Sequence, residues 1–116
     1  MMISILGTYY TIVIKDVSED ATFEKCDGYC SSLTKEIVIC NLRSREEWKD
    51  EPNSIVNEAY KRTVRHEIIH AFFSESGLEQ NSNAYDGAWV RNEEMIDFFA
   101  LQGTKIYNAW KEAEVI

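Results

Sequence analysis

Runs of β-branched and aromatic residues in the first part of the chain are typical of strands. Such runs cover residues 9–15, 29–32 and 35–41, and residues 3–6 are expected to extend the first run, with Gly7 as a bulge or bend. Leu33 and Thr34 form the predicted tight turn between the second and third runs. These segments predict three antiparallel strands, in which Cys30 lies opposite Ile37.

Hydrophobic positions three and four residues apart predict helices in the second part of the chain. Ser54 is predicted to cap the first long helix and Gly77 to end it, and Asn92 is predicted to cap the second after a loop over residues 78–91. The inward positions expected for the first helix are Ile55, Ala59, Thr63, His66, His70 and Phe73. Those expected for the second helix are Ile96, Phe99, Ala100, Gly103, Tyr107 and Trp110.

A short helix is expected before the first long one, because Ser44 and Glu47 have the spacing of a capping box and Pro52 ends the segment. The predicted fold class is therefore α+β, with a three-stranded antiparallel sheet packed against two long helices plus a short helix. A length of 116 residues suits one domain, and residues 1–116 are assigned to it.

Composition and charge exclude several functional classes. Hydrophobic residues make up 45% of the chain, which is ordinary for a folded domain, and no hydrophobic run approaches the ~20 residues needed to cross a bilayer. Twelve Lys and Arg residues against twenty Asp and Glu residues give a net charge of −8, so that a phosphate backbone is repelled. We expect neither membrane insertion nor direct nucleic-acid binding.

The three cysteines indicate a reducing compartment. Cys30 and Cys40 do not lie opposite each other in the predicted hairpin, and the spacing of Cys26 and Cys30 differs from the usual C-x-x-C of zinc knuckles. The N-terminus has no basic segment before its hydrophobic residues, unlike a signal peptide. We therefore expect reduced thiols and a cytoplasmic location.

The two histidines of the chain form the motif His66-Glu67-Ile68-Ile69-His70, H-E-x-x-H, within the first predicted long helix. Residues four apart lie on one face of a helix, so both imidazoles can bind one Zn²⁺ ion. Glu67 lies to the side of that face, where its carboxylate can hydrogen-bond a water molecule on the metal. The motif predicts one zinc ion per chain, with Glu67 as the catalytic base.

A catalytic zinc site usually has three protein ligands, and since the chain has no third histidine, the last ligand is a carboxylate or a thiolate. We predict Glu93, because it shares the face of Ile96 and Ala100 that is expected to pack on the first helix. Glu94 is the alternative. Asp97, one turn after Glu93, is predicted to accept a hydrogen bond from a ligand histidine.

Hydrolysis at such a zinc site also needs a donor to the carbonyl oxygen of the substrate. Tyr85, in the predicted loop between the long helices, is the candidate for this catalytic role, and Arg91 is the second candidate. Trp89 and Trp48 are aromatic residues that can line the cleft or simply pack.

Two segments resemble the glutamate-zincins, and more narrowly the ImmA/IrrE-type metallopeptidases and the small phage- and prophage-encoded proteins related to them. They are residues 63–72, which contain the H-E-x-x-H motif, and residues 92–100. Aligning Phe99-Ala100 on the Phe-Ala of the family places Glu93 on the ligand position and Asp97 on the Asn/Asp position. Ile96 replaces the usual Ala. The resemblance covers about residues 1–107 and implies a minimal zincin-like domain.

The resemblance implies a zinc-dependent peptidase. By analogy with zincins, the strand over residues 35–41 is expected to be an edge strand that binds an extended substrate. The first hypothesis is a zinc metallopeptidase of the HExxH type that cleaves an intracellular phage or host regulatory protein, so that its partner is a protein or peptide substrate. The sequence predicts no particular oligomeric state.

Two alternatives stay open. One is a zinc-containing binding or regulatory module with a zincin fold and little or no proteolytic activity, which the small size of the chain favours. The other is a toxin or antitoxin component of a mobile element. The intact Glu67 favours hydrolysis, because a purely structural zinc site has no need of a carboxylate beside a water molecule.

Overall fold

The computed structural model describes residues 1–81 and 93–116, apart from the side chains of residues 80, 81, 93, 96, 97 and 100. Within these residues lie four strands, two long helices and one short helix. The strands are β1 (Met2–Ile5), β2 (Thr8–Lys15), β3 (Gly28–Ser31) and β4 (Glu36–Cys40). The helices are α1 (Asn53–Ser76), α2 (Leu78–Asn81) and α3 (Glu93–Glu112).

The sheet has four strands in the order β1-β2-β4-β3 and is mixed, so the expectation of a three-stranded antiparallel sheet was wrong. β1 and β2 form an antiparallel hairpin around Leu6 and Gly7. The φ angles of these two residues, 50° and 88°, are both left-handed, as in the two-residue turns that suit hairpins. Residues 2–15 are therefore two paired strands rather than one strand with a bulge.

β4 lies between β2 and β3, because the connection from β2 to β3 passes over one face of the sheet. β2 and β4 are parallel, whereas β3 and β4 are antiparallel, with Cys30 opposite Ile37 as predicted. The parallel strands β2 and β4 are joined by residues 16–35, a segment that includes β3 and exceeds the dozen residues that a parallel connection requires. Its Phe23 is fully buried against Val38 and Cys40, which holds the crossover on the sheet.

The segment before α1 consists of two 3₁₀ turns, Leu42–Ser44 and Glu46–Trp48, instead of the expected short α-helix. α1 follows Pro52, which is its N-cap residue, rather than the expected Ser54. It ends at Gly77 as predicted, where a φ of 84° takes the backbone into the left-handed conformation that ends helices.

Both long helices are rotated relative to the faces expected from the sequence. The buried residues of α1 are Val64, Glu67, Ile68, Ala71 and Phe72. On the described part of α3, Phe98, Ile106 and Ala109 are buried, whereas Phe99 and Tyr107 are exposed. Each helix carries hydrophobic residues on more than one face, so tertiary packing decides which face turns inward. As a result, His66 and His70 are exposed.

α1 lies against the sheet, and α3 packs on α1. The core between them includes Ile3, Ile5, Tyr10, Ile12, Ile37, Ile39, Val64, Ile68, Ala71 and Phe72. The rings of Phe73 and Phe98 lie 4.9 Å apart at the contact of the two helices. Arg65 donates a hydrogen bond of 2.8 Å to the carbonyl oxygen of Val115 and so fastens the C-terminal segment to α1. No helix in the described part of the chain is both long and apolar enough to cross a membrane.

Gly28, the first residue of β3, allows this strand to approach α1 closely. A Cβ atom at this position would lie 2.8 Å from Thr63 Cγ2 and 3.2 Å from the carbonyl oxygen of Val38. Both neighbours are fixed, since Val38 is sheet backbone and the Thr63 hydroxyl donates a 2.9 Å hydrogen bond to the carbonyl oxygen of Ala59. Glycine is therefore required where β3 meets α1.

Gly28→Ala is expected to lower the free energy of unfolding by about 1–3 kcal/mol, because the added methyl group overpacks the contact of β3 with α1. The matched control is Gly103→Ala in α3. No atom lies within 4 Å of a Cβ at Gly103, so the control is expected to keep or raise stability, by up to about 1 kcal/mol. Urea denaturation measures both variants. A Gly28→Ala protein as stable as wild type would contradict the close approach.

Glu75, near the end of α1, joins this helix to the sheet. Its carboxylate accepts hydrogen bonds from Thr8 Oγ1 at 3.1 Å, Tyr10 OH at 2.7 Å and Lys35 Nζ at 2.5 Å. The Lys35 ammonium also lies 5.6 Å from the centre of the Tyr10 ring. The hydrogen bonds from Lys35 and Tyr10 hold the pKa of the Glu75 carboxyl below its usual value. The carboxylate form of Glu75 is thus part of the native structure.

Glu75→Gln is expected to lower the free energy of unfolding at pH 7 by about 1–3 kcal/mol, because an amide replaces a carboxylate that accepts a charged hydrogen bond. A carboxyl group whose pKa falls on folding stabilises the native state above its unfolded pKa, about 4.3, and loses this contribution as the pH falls through its folded pKa. The difference between wild type and Glu75→Gln should therefore shrink below about pH 4.

Chemical denaturation between neutral and acidic pH measures this difference. The control is Glu24→Gln, since the exposed Glu24 side chain accepts no hydrogen bond from another described residue. Its stability should follow that of wild type at every pH. A Glu75→Gln deficit that stays constant as the solution is acidified would contradict a stabilising carboxylate.

Candidate functional site

His66 and His70 lie one turn apart on the exposed face of α1 and point to a common place. Their Nε2 atoms are 3.1 Å apart, and their ring centres are 4.8 Å apart in an edge-on arrangement. The four-residue spacing produces this pairing, because it stacks the side chains of successive turns. The structure thus brings together the two imidazoles that the sequence predicted to act as a pair.

The spacing of the two nitrogens fits a shared metal ion. Two imidazole nitrogens bound to tetrahedral Zn²⁺ at 2.0–2.1 Å lie roughly 3.3 Å apart. The observed separation of 3.1 Å is close to that value. His66 and His70 can therefore bind one cation together with little movement.

Glu67 is the buried member of the motif. Glu67 is 6% exposed, and among the described residues no other charged residue is buried. The carboxylate accepts no hydrogen bond from another described residue. Burial raises the pKa of the Glu67 carboxyl above its usual range, and the neighbouring His70 and His66 partly offset this rise. The Glu67 side chain also lines two cavities on the surface of α1, so that its carboxylate is buried from bulk solvent but faces the space that a ligand could occupy.

Two cavities meet at His66 and Glu67 and form one groove along α1. They have volumes of about 360 and 410 Å³ and share Cys26, Gly28, His66 and Glu67 in their walls. The first cavity is also lined by Tyr29, Cys30, Ser32, His70, Ser74 and Glu79. The second is also lined by Asp27, Trp48, Ala59, Arg62 and Thr63. The histidine pair therefore borders the first cavity and shares His66 with the second.

The wall of the groove opposite α1 is formed by β3, which is the edge strand of the sheet. The sequence predicted an edge strand at residues 35–41, and this was wrong, because β4 pairs with β2 on one side and with β3 on the other. The strand at this edge of the sheet is instead β3, which precedes β4 in the chain. The sequences of β3 and β4 do not indicate which of them lies at the edge, because their order depends on the pairing of β4 with the distant strand β2.

The predicted ligand on α3 stays a prediction. The side chains of Glu93 and Asp97 lie outside the described residues, as do Tyr85 and Arg91 altogether. Within residues 1–81 and the described side chains of α3, no group of three or more His, Cys, Asp or Glu residues is placed to hold a metal.

The groove also contains residues that the sequence did not single out. Arg62, His66, His70 and Ser74 follow one another at four-residue intervals along α1, and all four line the groove. That spacing is a signal that extends the motif by one turn at each end. Trp48, an open candidate from the sequence, lines the second cavity, whereas Trp89 lies outside the described residues.

Cys30 faces the first cavity as a neutral thiol. Burial, and after it the negative charge of Glu67, raises the pKa of Cys30 to about 12. Cys26, Cys30 and Cys40 are all free thiols. The absence of a disulfide among these three cysteines agrees with the sequence prediction.

Comparison of the chain with known protein families, with characterised proteins and with solved structures finds no match. The assignment of function therefore depends on the residues of the groove and their geometry.

Proposed function

We propose that the chain is a zinc-dependent metallopeptidase that hydrolyses peptide bonds in an intracellular phage or host regulatory protein. The observation that carries the proposal is the buried carboxylate of Glu67, without a protein hydrogen bond in the described structure, beside two imidazoles whose nitrogens are 3.1 Å apart. This combination supports hydrolysis over a purely structural metal site, in which such a carboxylate would have no task.

His66, His70 and Glu93 would hold the metal, and Asp97 would accept a hydrogen bond from one of the histidines. Bound Zn²⁺ lowers the pKa of a water molecule that it holds to about 7 and polarises a carbonyl group. Tyr85 is the proposed donor to the carbonyl oxygen, with Arg91 as the second candidate.

Glu67 moves the proton. Its carboxylate accepts a proton from the attacking water molecule as the water oxygen bonds to the carbonyl carbon of the substrate. It then donates this proton to the nitrogen of the leaving amine as the C–N bond breaks. The products are a carboxylic acid and an amine, and Glu67 returns to its initial state.

An extended peptide is the substrate that suits the groove. β3 is the edge strand of the sheet, and no other strand of the described residues pairs with its outer side, so an extended peptide could pair there as a further strand. The carbonyl group to be cleaved would then lie beside α1 at the level of His66 and His70. The free cysteines favour the cytoplasmic location of such a substrate.

A second candidate is a zinc-containing binding or regulatory module with little or no proteolytic activity. The observation in its favour is the pairing of His66 with His70, which serves metal binding whether or not Glu67 acts as a base. Metal binding without hydrolysis would support this candidate, so the tests separate metal content from turnover.

The purified protein is expected to contain about one zinc ion per chain, because the two imidazoles are already at a chelating distance. His66→Ala and His70→Ala should lose most of the metal. Removal of zinc by a chelator should lower the melting temperature of wild type by several degrees, since a ligand of the native state stabilises folding. Elemental analysis and thermal denaturation measure these effects. Retention of zinc by both histidine variants would contradict the metal site.

The third ligand is tested by a matched pair, Glu93→Ala and Glu94→Ala. We expect Glu93→Ala to weaken zinc binding by about 10–100-fold or more, because a ligand is removed, and Glu94→Ala to bind zinc like wild type. Competition with a zinc indicator measures the affinity. The reverse result would assign the ligand to Glu94, and no effect of either change would exclude a carboxylate from this turn.

Glu67→Gln is expected to keep zinc and to lose peptide hydrolysis by about 10²–10⁴-fold, because an amide cannot accept the proton of the water molecule. The probe is a library of internally quenched decapeptides, with cleavage read by fluorescence and mass spectrometry. Equal cleavage by wild type and Glu67→Gln would contradict the mechanism. Zinc binding without cleavage by wild type would favour the binding module.

A further inference from the structure

Arg62 differs from the other arginines of the described chain in having no partner. Arg43, Arg45 and Arg65 all donate hydrogen bonds to backbone carbonyl oxygens. Arg62 is exposed and makes no hydrogen bond or ion pair with another described residue, although it lines the second cavity. Glu58, one turn before it on α1, is paired with Arg65 at 3.0 Å. The guanidinium of Arg62 is therefore available to a ligand in the groove.

The carboxylate that shares this cavity with Arg62 is already compensated. Asp27 Oδ1 lies 3.0 Å from Arg45 Nε, and Arg45 also donates to the carbonyl oxygens of Phe23 and Cys26 at 2.5 and 2.8 Å. These contacts hold Asp27 to its own side of the cavity. Asp27, Arg62 and Glu67 are the Asp, Glu, Lys and Arg residues among the described residues that line this cavity. Asp27 is paired with Arg45, and Glu67 is used by the proposed reaction, which leaves Arg62 without an ion-pair partner.

Trp48 supplies an aromatic wall to the same cavity, and its backbone is held in place. Arg43 donates hydrogen bonds to the carbonyl oxygens of Trp48 at 2.9 Å and Lys49 at 3.1 Å, and to Asn53 Oδ1 at 2.5 Å. The 3₁₀ turn that carries Trp48 is thereby tied to the start of α1. The Trp48 ring, carried on this fixed backbone, and the Arg62 guanidinium, unpaired among the described residues, then line one cavity that also borders His66.

The charged residues in the lining differ at the other end of the groove. The first cavity is lined by Glu79 and by no lysine or arginine among the described residues. An extended peptide that crosses His66 and His70 would therefore meet a cation at one end of the groove and a carboxylate at the other. Charge complementarity favours an acidic side chain of the peptide at the Arg62 end.

We propose that the cavity lined by Arg62 and Trp48 is a specificity subsite that selects a carboxylate side chain of the substrate, Asp or Glu, close to the cleaved bond. This subsite depends on the proposed function, because it requires an extended peptide in the groove. Arg62 acts as the specificity residue, because a guanidinium binds a carboxylate through two parallel hydrogen bonds, whereas a neutral amide cannot match its charge.

The test uses zinc-loaded protein and matched decapeptides that carry Asp, Asn or Lys at each position around the cleaved bond in turn. Wild type is expected to prefer Asp to Asn by about tenfold in kcat/KM at one position, and to prefer Asp to Lys by more. The preference should weaken at high salt. Arg62→Glu should reverse it and Arg62→Lys should keep part of it. Lys61→Glu, with the same charge change at a residue that lines neither cavity, should leave it unchanged.

A binding measurement separates this proposal from the proposed function. The same peptides, labelled with a fluorophore, are titrated with Glu67→Gln and with the double variant Glu67→Gln, Arg62→Glu, and anisotropy gives the affinities. Cleavage or binding with a preference for Asp that depends on Arg62 supports the subsite. Cleavage without charge preference overturns the subsite and leaves the peptidase intact. Charge-selective binding without cleavage keeps the subsite and overturns the peptidase, and neither cleavage nor selective binding overturns both.

Discussion

The contact of β3 with α1 is the constraint on which the groove depends. At Gly28 the strand comes so near to Thr63 that a single methyl group would collide with the helix. Both cavities have Gly28 in one wall and the motif of α1 in the other. β3 is at the edge of the sheet, so among the described strands only β4 pairs with it. A wider separation would remove the wall that faces His66 and Glu67.

The rotation of α1 about its axis decides what the motif can do. One face turns to the interior and carries Glu67 with it, while the two histidines remain at the surface. Burial of an ionised carboxylate costs several kcal/mol unless hydrogen bonds offset the cost. The described residues donate none to Glu67. A helix turned the other way would bury His66 and His70 and leave Glu67 in water, where a carboxylate has ordinary properties.

The predictions that held depended on local geometry. The pairing of His66 with His70 follows from helical spacing alone, and the alignment of Cys30 with Ile37 follows from a short turn. The predictions that failed depended on distant contacts. Nothing within residues 35–41 indicates that a parallel neighbour would place β4 inside the sheet. Likewise, the hydrophobic residues of α3 allow two inward faces, and packing against the rest of the core chose Phe98 over Phe99.

Backbone pairing and side-chain charge would contribute differently to the binding of a peptide in the groove. The edge of β3 can pair with an extended peptide in either direction, so hydrogen bonding there gives affinity without fixing the orientation. The net charge of −8 has little influence at this scale, because charges more than about 8 Å apart are largely screened at physiological ionic strength. The charges in the walls of the groove itself therefore dominate, and they include Arg62 in the second cavity and Glu79 in the first. If the proposed peptide binds in the groove, its orientation would therefore depend on the side chains of α1 and α2 rather than on the sheet.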